Sequence, residues 1–350
     1  MAGVALVTGG GGLVGRHVVA ELARDPARKV LVLSRRRPEA LPDGVRHLAA
    51  DLLDTASLDA VMPKLRPVTH VFHAALLPDT DPARESDINE AMLAHLLDAL
   101  GRAGAPLRHV AVSHGAKWYG SHLGAYRTPA REDDPSHMPP NFYIAQQRLL
   151  ERRAPEEGWG WSTYRPGIVF GYCLGNPMNM LTVLAGYALI CRELGLPLRY
   201  PGTESGFRIL NQATDAGLLA RMMAWGSKAP VAHNQAYNVT NGDSFRWCDI
   251  WEGIADFFGM RPGGVQTLRL ATQMADKAPV WDRIVERHSL RRVPLAQLAN
   301  WTFADFIFHR GYDQILSMVK GWRHGFEESM DSEDAIFARL EELRALRIVP

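Results

Sequence analysis

The chain has 350 residues, 47% of them apolar, enough for one large domain with an appended lobe or for two domains sharing an interface. Its 39 basic and 38 acidic side chains nearly cancel, so no basic excess points to nucleic acid or to an anionic membrane surface. The three cysteines, Cys173, Cys191 and Cys248, lack the paired spacing of a disulfide framework or a zinc site. No metal is therefore expected, and buried thiols suit a reducing, cytoplasmic setting.

The apolar run at 4–7 is too short for a secretory signal and leads straight into glycines. It reads as a first buried strand, followed by a helix over 13–24. Residues 30–33 and 45–48 read as second and third strands, 58–65 as a helix, 70–74 as a fourth strand, 88–100 as an amphipathic helix and 109–113 as a fifth strand. A helix over 141–157 and a sixth strand over 161–165 follow. Strands that are apolar on both faces and alternate with helices predict an α/β, Rossmann-type doubly wound parallel sheet. Beyond Pro166 helical segments predominate, with a short extended piece at 236–239 and a last helix over 332–346. The run 178–191 is interrupted by Asn179 and Thr182 and reads as a core helix, not a membrane span. The expected division is a nucleotide-binding domain over 1–170 and a mainly helical substrate lobe and lid over 171–350, with some elements returning to the Rossmann core.

Between the first strand and the first helix stands Thr8-Gly9-Gly10-Gly11-Gly12-Leu13-Val14-Gly15. Gly9 permits the tight turn, Gly12 lets the backbone approach a pyrophosphate, and Gly15 lets the helix pack close to the sheet. The free amides opening the helix, at Leu13 and Val14 among others, receive the phosphates. The second strand ends in Ser34-Arg35-Arg36-Arg37, where an NAD-binding fold would usually place an acidic residue. Guanidinium groups there, with the Ser34 hydroxyl, suit a 2′-phosphate and hence NADPH/NADP+. Asp51 and Leu52, past the third strand, are placed to meet the adenine, and Ala74 and Ala75, past the fourth, to lie beside a ribose.

The glycine spacing resembles the short-chain dehydrogenase/reductase superfamily, whose ordinary members carry Tyr-x-x-x-Lys on one helix. Here Tyr143 is followed four residues later by Gln147. A lysine is available instead after the fifth strand, in Ser113-His114-Gly115-Ala116-Lys117-Trp118-Tyr119-Gly120. That loop leaves the carboxyl end of a central strand, where a nicotinamide should lie. The loop resembles the T-G-x-K-x-Y segment of the progesterone 5β-reductase/iridoid synthase-like family, and Pro140-Asn141-Phe142-Tyr143 resembles its N-F-Y-Y motif. Segments 164–171, 236–243 and 277–281 are similar as well, so the resemblance runs from Val4 to about Phe326. His114 stands where that family has Thr, and Ile144 where it has its second Tyr.

The resemblance implies NADPH-dependent 1,4-reduction of an enone or enal. Tyr143 would stabilise the enolate and Lys117 would hold the nicotinamide ribose and favour the tyrosinate. Ser113, Pro166, Ile168 and Val169 would lie along the nicotinamide. An apolar small-molecule enone would be met by Trp118, Phe142, Met178, Phe207 and Phe303, with Met180 and Phe306 as further candidates. Alternatives are an extended-class carbonyl reductase or sugar-nucleotide epimerase, and a non-enzymatic NADPH sensor. A homodimer is the assembly left open, because such closed pairs are common.

Overall fold

The structure, a computed structural model, describes residues 3–350. The first part of the chain runs β1 (Val4–Thr8), α1 (Leu13–Ala23), β2 (Lys29–Ser34), β3 (Arg46–Ala49), α2 (Thr55–Leu65), β4 (Val68–His73), α3 (Pro82–Arg102), β5 (His109–Ser113), α4 (Phe142–Glu157) and β6 (Gly160–Pro166). It continues with β7 (Ile168–Phe170), α5 (Met180–Glu193), β8 (Leu198–Tyr200), α6 (Glu204–Arg208), β9 (Ala213–Asp215), α7 (Ala216–Gly226), β10 (Gln235–Val239), α8 (Trp247–Phe257) and β11 (Pro262–Val265). The helices α9 (Leu270–Gln273), α10 (Ala278–Arg287), α11 (Leu295–Leu298), α12 (Trp301–Phe308), α13 (Val319–Arg323) and α14 (Ser332–Ala345) complete it.

Two compact units share this chain. The first takes residues up to Gly167, then Ala216–Val239 and Leu316–Glu328; the second takes Ile168–Asp215, Thr240–Ile315 and Ser329–Pro350. The first unit is built on a seven-stranded sheet in the order β10-β6-β5-β4-β1-β2-β3, with every neighbouring pair parallel. This is the doubly wound order extended by one strand, and the strand order reverses between β1 and β4, at whose carboxyl ends such sheets bind their ligands. Both faces of the strands are buried, as their apolar runs require: β6 is buried along all seven residues. Leu6, Val71 and Val110 of the sheet pack with Leu58, Leu93, Leu97 and Leu150 from α2, α3 and α4 into one core.

The second unit has its own core, centred on α5, whose residues from Met180 to Cys191 are all buried. Trp247, Trp251, Trp281 and Phe308 surround it. Its strands pair as two short parallel ribbons, β7 with β9 and β8 with β11. No helix among the described residues is long and apolar enough to cross a membrane, and no cluster of His, Cys, Asp or Glu among them could hold a metal ion.

Candidate active site

The glycine loop is shaped by how closely three backbones meet. Gly9 sits at φ +68°, a conformation that costs glycine little. The Gly12 amide donates to the Gly9 carbonyl at 2.8 Å and closes the turn. A Cβ on Gly9 would lie 2.5 Å from the Ala74 carbonyl oxygen, and one on Gly15 would collide with the Gly9 carbonyl. The loop, the start of α1 and the end of β4 thus form a cradle that side chains at these positions would fill. Whereas α2, α3 and α4 open on Asp54, Asp81 and Asn141, each accepting from first-turn amides, α1 opens on Gly12 with no side-chain cap. The amides at Leu13 and Val14 therefore have no capping side chain, the arrangement that receives a phosphate. The residues present fit a dinucleotide. Thr8 is fully buried, and its hydroxyl is hydrogen-bonded to His73 Nδ1 at 2.9 Å. Its side chain supports β4, leaving only its backbone at the loop.

At the end of β2 the Ser34 hydroxyl donates to the Arg36 carbonyl at 2.7 Å and so folds the basic turn. Arg35, Arg36 and Arg37 are exposed, and none makes an ion pair among the described residues. Past β3, the Asp51 carboxylate accepts from the Leu53 amide at 3.0 Å, while Leu52 is buried in the core of the first unit. Ala74 and Ala75 are half-buried and run beside Gly9.

The loop after β5 tightens into one 3₁₀ turn, Ala116–Tyr119, which carries Lys117 half-buried. Tyr143 lies in the first turn of α4, 7% exposed. One side chain stitches the two elements together: Asn141 donates through Nδ2 to the Lys117 carbonyl at 3.0 Å and accepts at Oδ1 from the Tyr143 amide at 3.0 Å. The Tyr143 hydroxyl comes so close to Gly115 that a Cβ there would lie 3.0 Å from it. The phenol ring stacks on His114 with centroids 4.9 Å apart and meets Phe142 edge-on at 4.3 Å. Ser113 is half-buried at the end of β5.

The electrostatics depart from the expectation that Lys117 draws Tyr143 toward tyrosinate. Burial pushes the Tyr143 phenol up, and Glu85 adds to the shift; enclosure in low dielectric disfavours the charged form. The phenol is held as a neutral donor. His114 is enclosed as well, and burial followed by the Arg165 guanidinium holds it well below the ordinary histidine value, so a neutral imidazole faces the Tyr143 ring.

The other sequence candidates divide between the two units. Pro166 ends β6 in the first, whereas Ile168 and Val169 form β7 in the second. Trp118 and Phe142 are buried beside Tyr143 in one cluster of the first unit. Met178, Phe207 and Phe303 belong to the second unit. There Phe207 packs against Tyr200 at 4.7 Å, Phe303 packs on the core, and the Met178 amide is held by Asn176. Met180 is fully buried in that core, and Phe306 is covered by the Arg310 guanidinium at 4.1 Å; α5 and α12 take these two for packing. Sequence reasoning missed Asn141, although an Asn directly before a helical run is an N-cap signal that could have found it. It also missed Arg165, discussed below.

Three comparisons with known proteins bear on the family and the fold. A family model described as a PRISE-like Rossmann-fold domain matches residues 13–350. The chain is 33% identical to (S)-8-oxocitronellyl enol synthase ISY2 of Nepeta cataria, over 99% of this chain and 92% of that protein. It is 31% identical to the 3-oxo-Δ(4,5)-steroid 5β-reductase of Arabidopsis thaliana, over 99% and 93%. Among solved structures, UDP-glucose 4-epimerase of Thermus thermophilus in complex with NAD superposes with a TM-score of 0.68 at 20% identity, covering 97% of this chain and 99% of that one; this likeness shows the fold. With a family match over residues 13–350 and relatives at 31–33% identity over nearly the whole chain, the chain belongs to the PRISE-like Rossmann-fold family and is an oxidoreductase.

Proposed function

We propose that this chain reduces the C=C bond of an α,β-unsaturated ketone or aldehyde with NADPH. The observation that carries the reading is the Asn141 stitch, which ties the turn of Lys117 to the first turn of the Tyr143 helix at the carboxyl end of β5. The names of the two relatives, an enol synthase and a steroid 5β-reductase, support the same class of chemistry. NADPH is preferred to NADH because three guanidinium groups, where an NAD-binding fold would usually place an acidic residue, directly follow β2.

When bound, a reduced nicotinamide supplies hydride. This chain's residues do the rest. The Tyr143 hydroxyl donates to the substrate carbonyl oxygen and stabilises the negative charge that grows there as the β-carbon is reduced. Its raised pKa keeps the proton on the phenol, so the group acts as a hydrogen-bond donor and the α-carbon takes its proton from solvent. Lys117, free of any ion pair among the described residues, holds the ribose hydroxyls. Asp51, Leu52, Ala74, Ala75 and Ser113 line the path of the cofactor in this reading, with Pro166 at the end of β6 along the nicotinamide. Trp118 and Phe142, buried beside Tyr143, cover the apolar side of the enone.

The test is consumption of NADPH, and of NADH in parallel, with 2-cyclohexenone and a 4-ene-3-ketosteroid, followed by product identification. A saturated ketone formed with NADPH is the expected outcome. An allylic alcohol would mean carbonyl reduction, and NADPH binding without turnover of any enone would turn the reading toward a sensor.

A further inference from the structure

Position 147, one helical turn past Tyr143, is where ordinary relatives of the superfamily carry the lysine that this chain lacks. The structure shows what occupies its surroundings. Arg165 of β6 is only 1% exposed, an extreme burial for a charged side chain, and it makes no ion pair among the described residues. Its Nη2 donates to Gln147 Oε1 at 3.0 Å. Its Nη1 donates to the Tyr119 hydroxyl and to the Glu132 carbonyl, each at 3.0 Å. The guanidinium carbon lies 3.8 Å from the centroid of the Trp118 ring, a cation–π distance. Trp118 and Tyr119 directly follow Lys117 on the same 3₁₀ turn. The Tyr119 hydroxyl donates a hydrogen bond to Asn238 Oδ1 at 2.7 Å, which anchors the far end of the network on β10.

We propose that Arg165 is a positioning residue for Lys117: its buried guanidinium clamps the lysine-bearing turn to the tyrosine-bearing helix, with Gln147 as the acceptor on α4. This deepens, and rests on, the reading of Lys117 given above. The Glu132 carboxylate lies close enough to feel the Arg165 charge but makes no ion pair with it, so the buried fork depends on neutral acceptors, and an amide oxygen at position 147 is one of them. An ammonium there would face the like charge of Arg165 at a half-buried position, or swing away to Glu151, which Gln147 Nε2 already reaches at 2.9 Å. Either way Arg165 loses its acceptor on α4.

The experiment compares Gln147→Lys, Gln147→Met and Gln147→Glu in the full chain, three side chains of similar length. Two readouts are taken: the rate at which Lys117 is acetylated in the ligand-free protein, followed by mass spectrometry, and NADPH affinity by fluorescence titration. Loss of the acceptor should free the turn, so Gln147→Lys and Gln147→Met should label roughly threefold faster or more at Lys117 and bind NADPH about tenfold more weakly. Gln147→Glu keeps an acceptor for the fork and should match the parent in both. Arg165→Lys, which keeps the charge but not the fork, should behave like Gln147→Met. Parent-like labelling and NADPH affinity in Gln147→Lys would overturn the clamp, as would Gln147→Glu failing as badly as Gln147→Met. The labelling readout needs no turnover, so a chain that proved unable to reduce enones would sink the functional reading while still testing the clamp.

Discussion

Tyr143→Phe is expected to lower enone turnover by about 10²–10³-fold while NADPH affinity stays within about twofold. The substitution removes one oxygen and leaves the ring. The stack on His114 and the edge contact with Phe142 survive, as does the amide bond to Asn141. The hydroxyl has no hydrogen-bond partner within the protein among the described residues, so its removal orphans no buried group and stability should hold. The loss is confined to the transition state, where charge gathers on the substrate oxygen and a neutral, buried donor is worth most. Kinetics with saturating NADPH, set beside a binding titration, check the split. Turnover equal to the parent's would remove Tyr143 from the mechanism.

Lys117→Met should act differently. The ammonium of Lys117 makes no ion pair among the described residues, and the bonds that hold its turn run through backbone groups, the carbonyl accepting from Asn141 and from the Gly120 amide. Methionine keeps the apolar stem and removes only the charge. A hydrogen bond from a charged donor to a ribose hydroxyl contributes about 1.5–3 kcal/mol, which corresponds to a loss of NADPH affinity of about 10–100-fold. Turnover at saturating NADPH should fall as well, because the ring would no longer be held in place for hydride transfer. The melting temperature should not move. Unchanged NADPH affinity in this variant would count against the ribose contact, and a large drop in melting temperature would show that the side chain serves the fold.

Much of the first unit could be read from the sequence because its signals are strong and local. Apolar runs such as 30–33 and 109–113 permit little but buried parallel strands, and the glycines between β1 and α1 have few other uses. Boundaries were less legible: α3 begins at Pro82, six residues before the expected 88, because its first turns are polar and exposed, so hydrophobic periodicity cannot register them. The return of Ala216–Val239 and Leu316–Glu328 to the first unit leaves no trace in periodicity, which says that a segment is a helix or strand but not which sheet it joins. Within the candidate site, Lys117 and Tyr143 could be named from their motif. Arg165 could not, since a lone arginine in a strand reads as surface-facing unless its acceptors are known, and those come from Tyr119, Glu132 and Gln147, far away in the chain. The raised pKa of Tyr143 was equally invisible, because it follows from enclosure, which only the fold creates.

The most direct test is the fate of the hydride. The protein is incubated with 2-cyclohexenone and NADPH bearing deuterium at the transferable C4 position, and the label in the product is located by NMR. Alkene reduction at this site predicts a saturated ketone with deuterium on the carbon β to the carbonyl and none at the α-carbon. Deuterium on the carbinol carbon of an allylic alcohol would contradict it, as would a saturated ketone carrying no label.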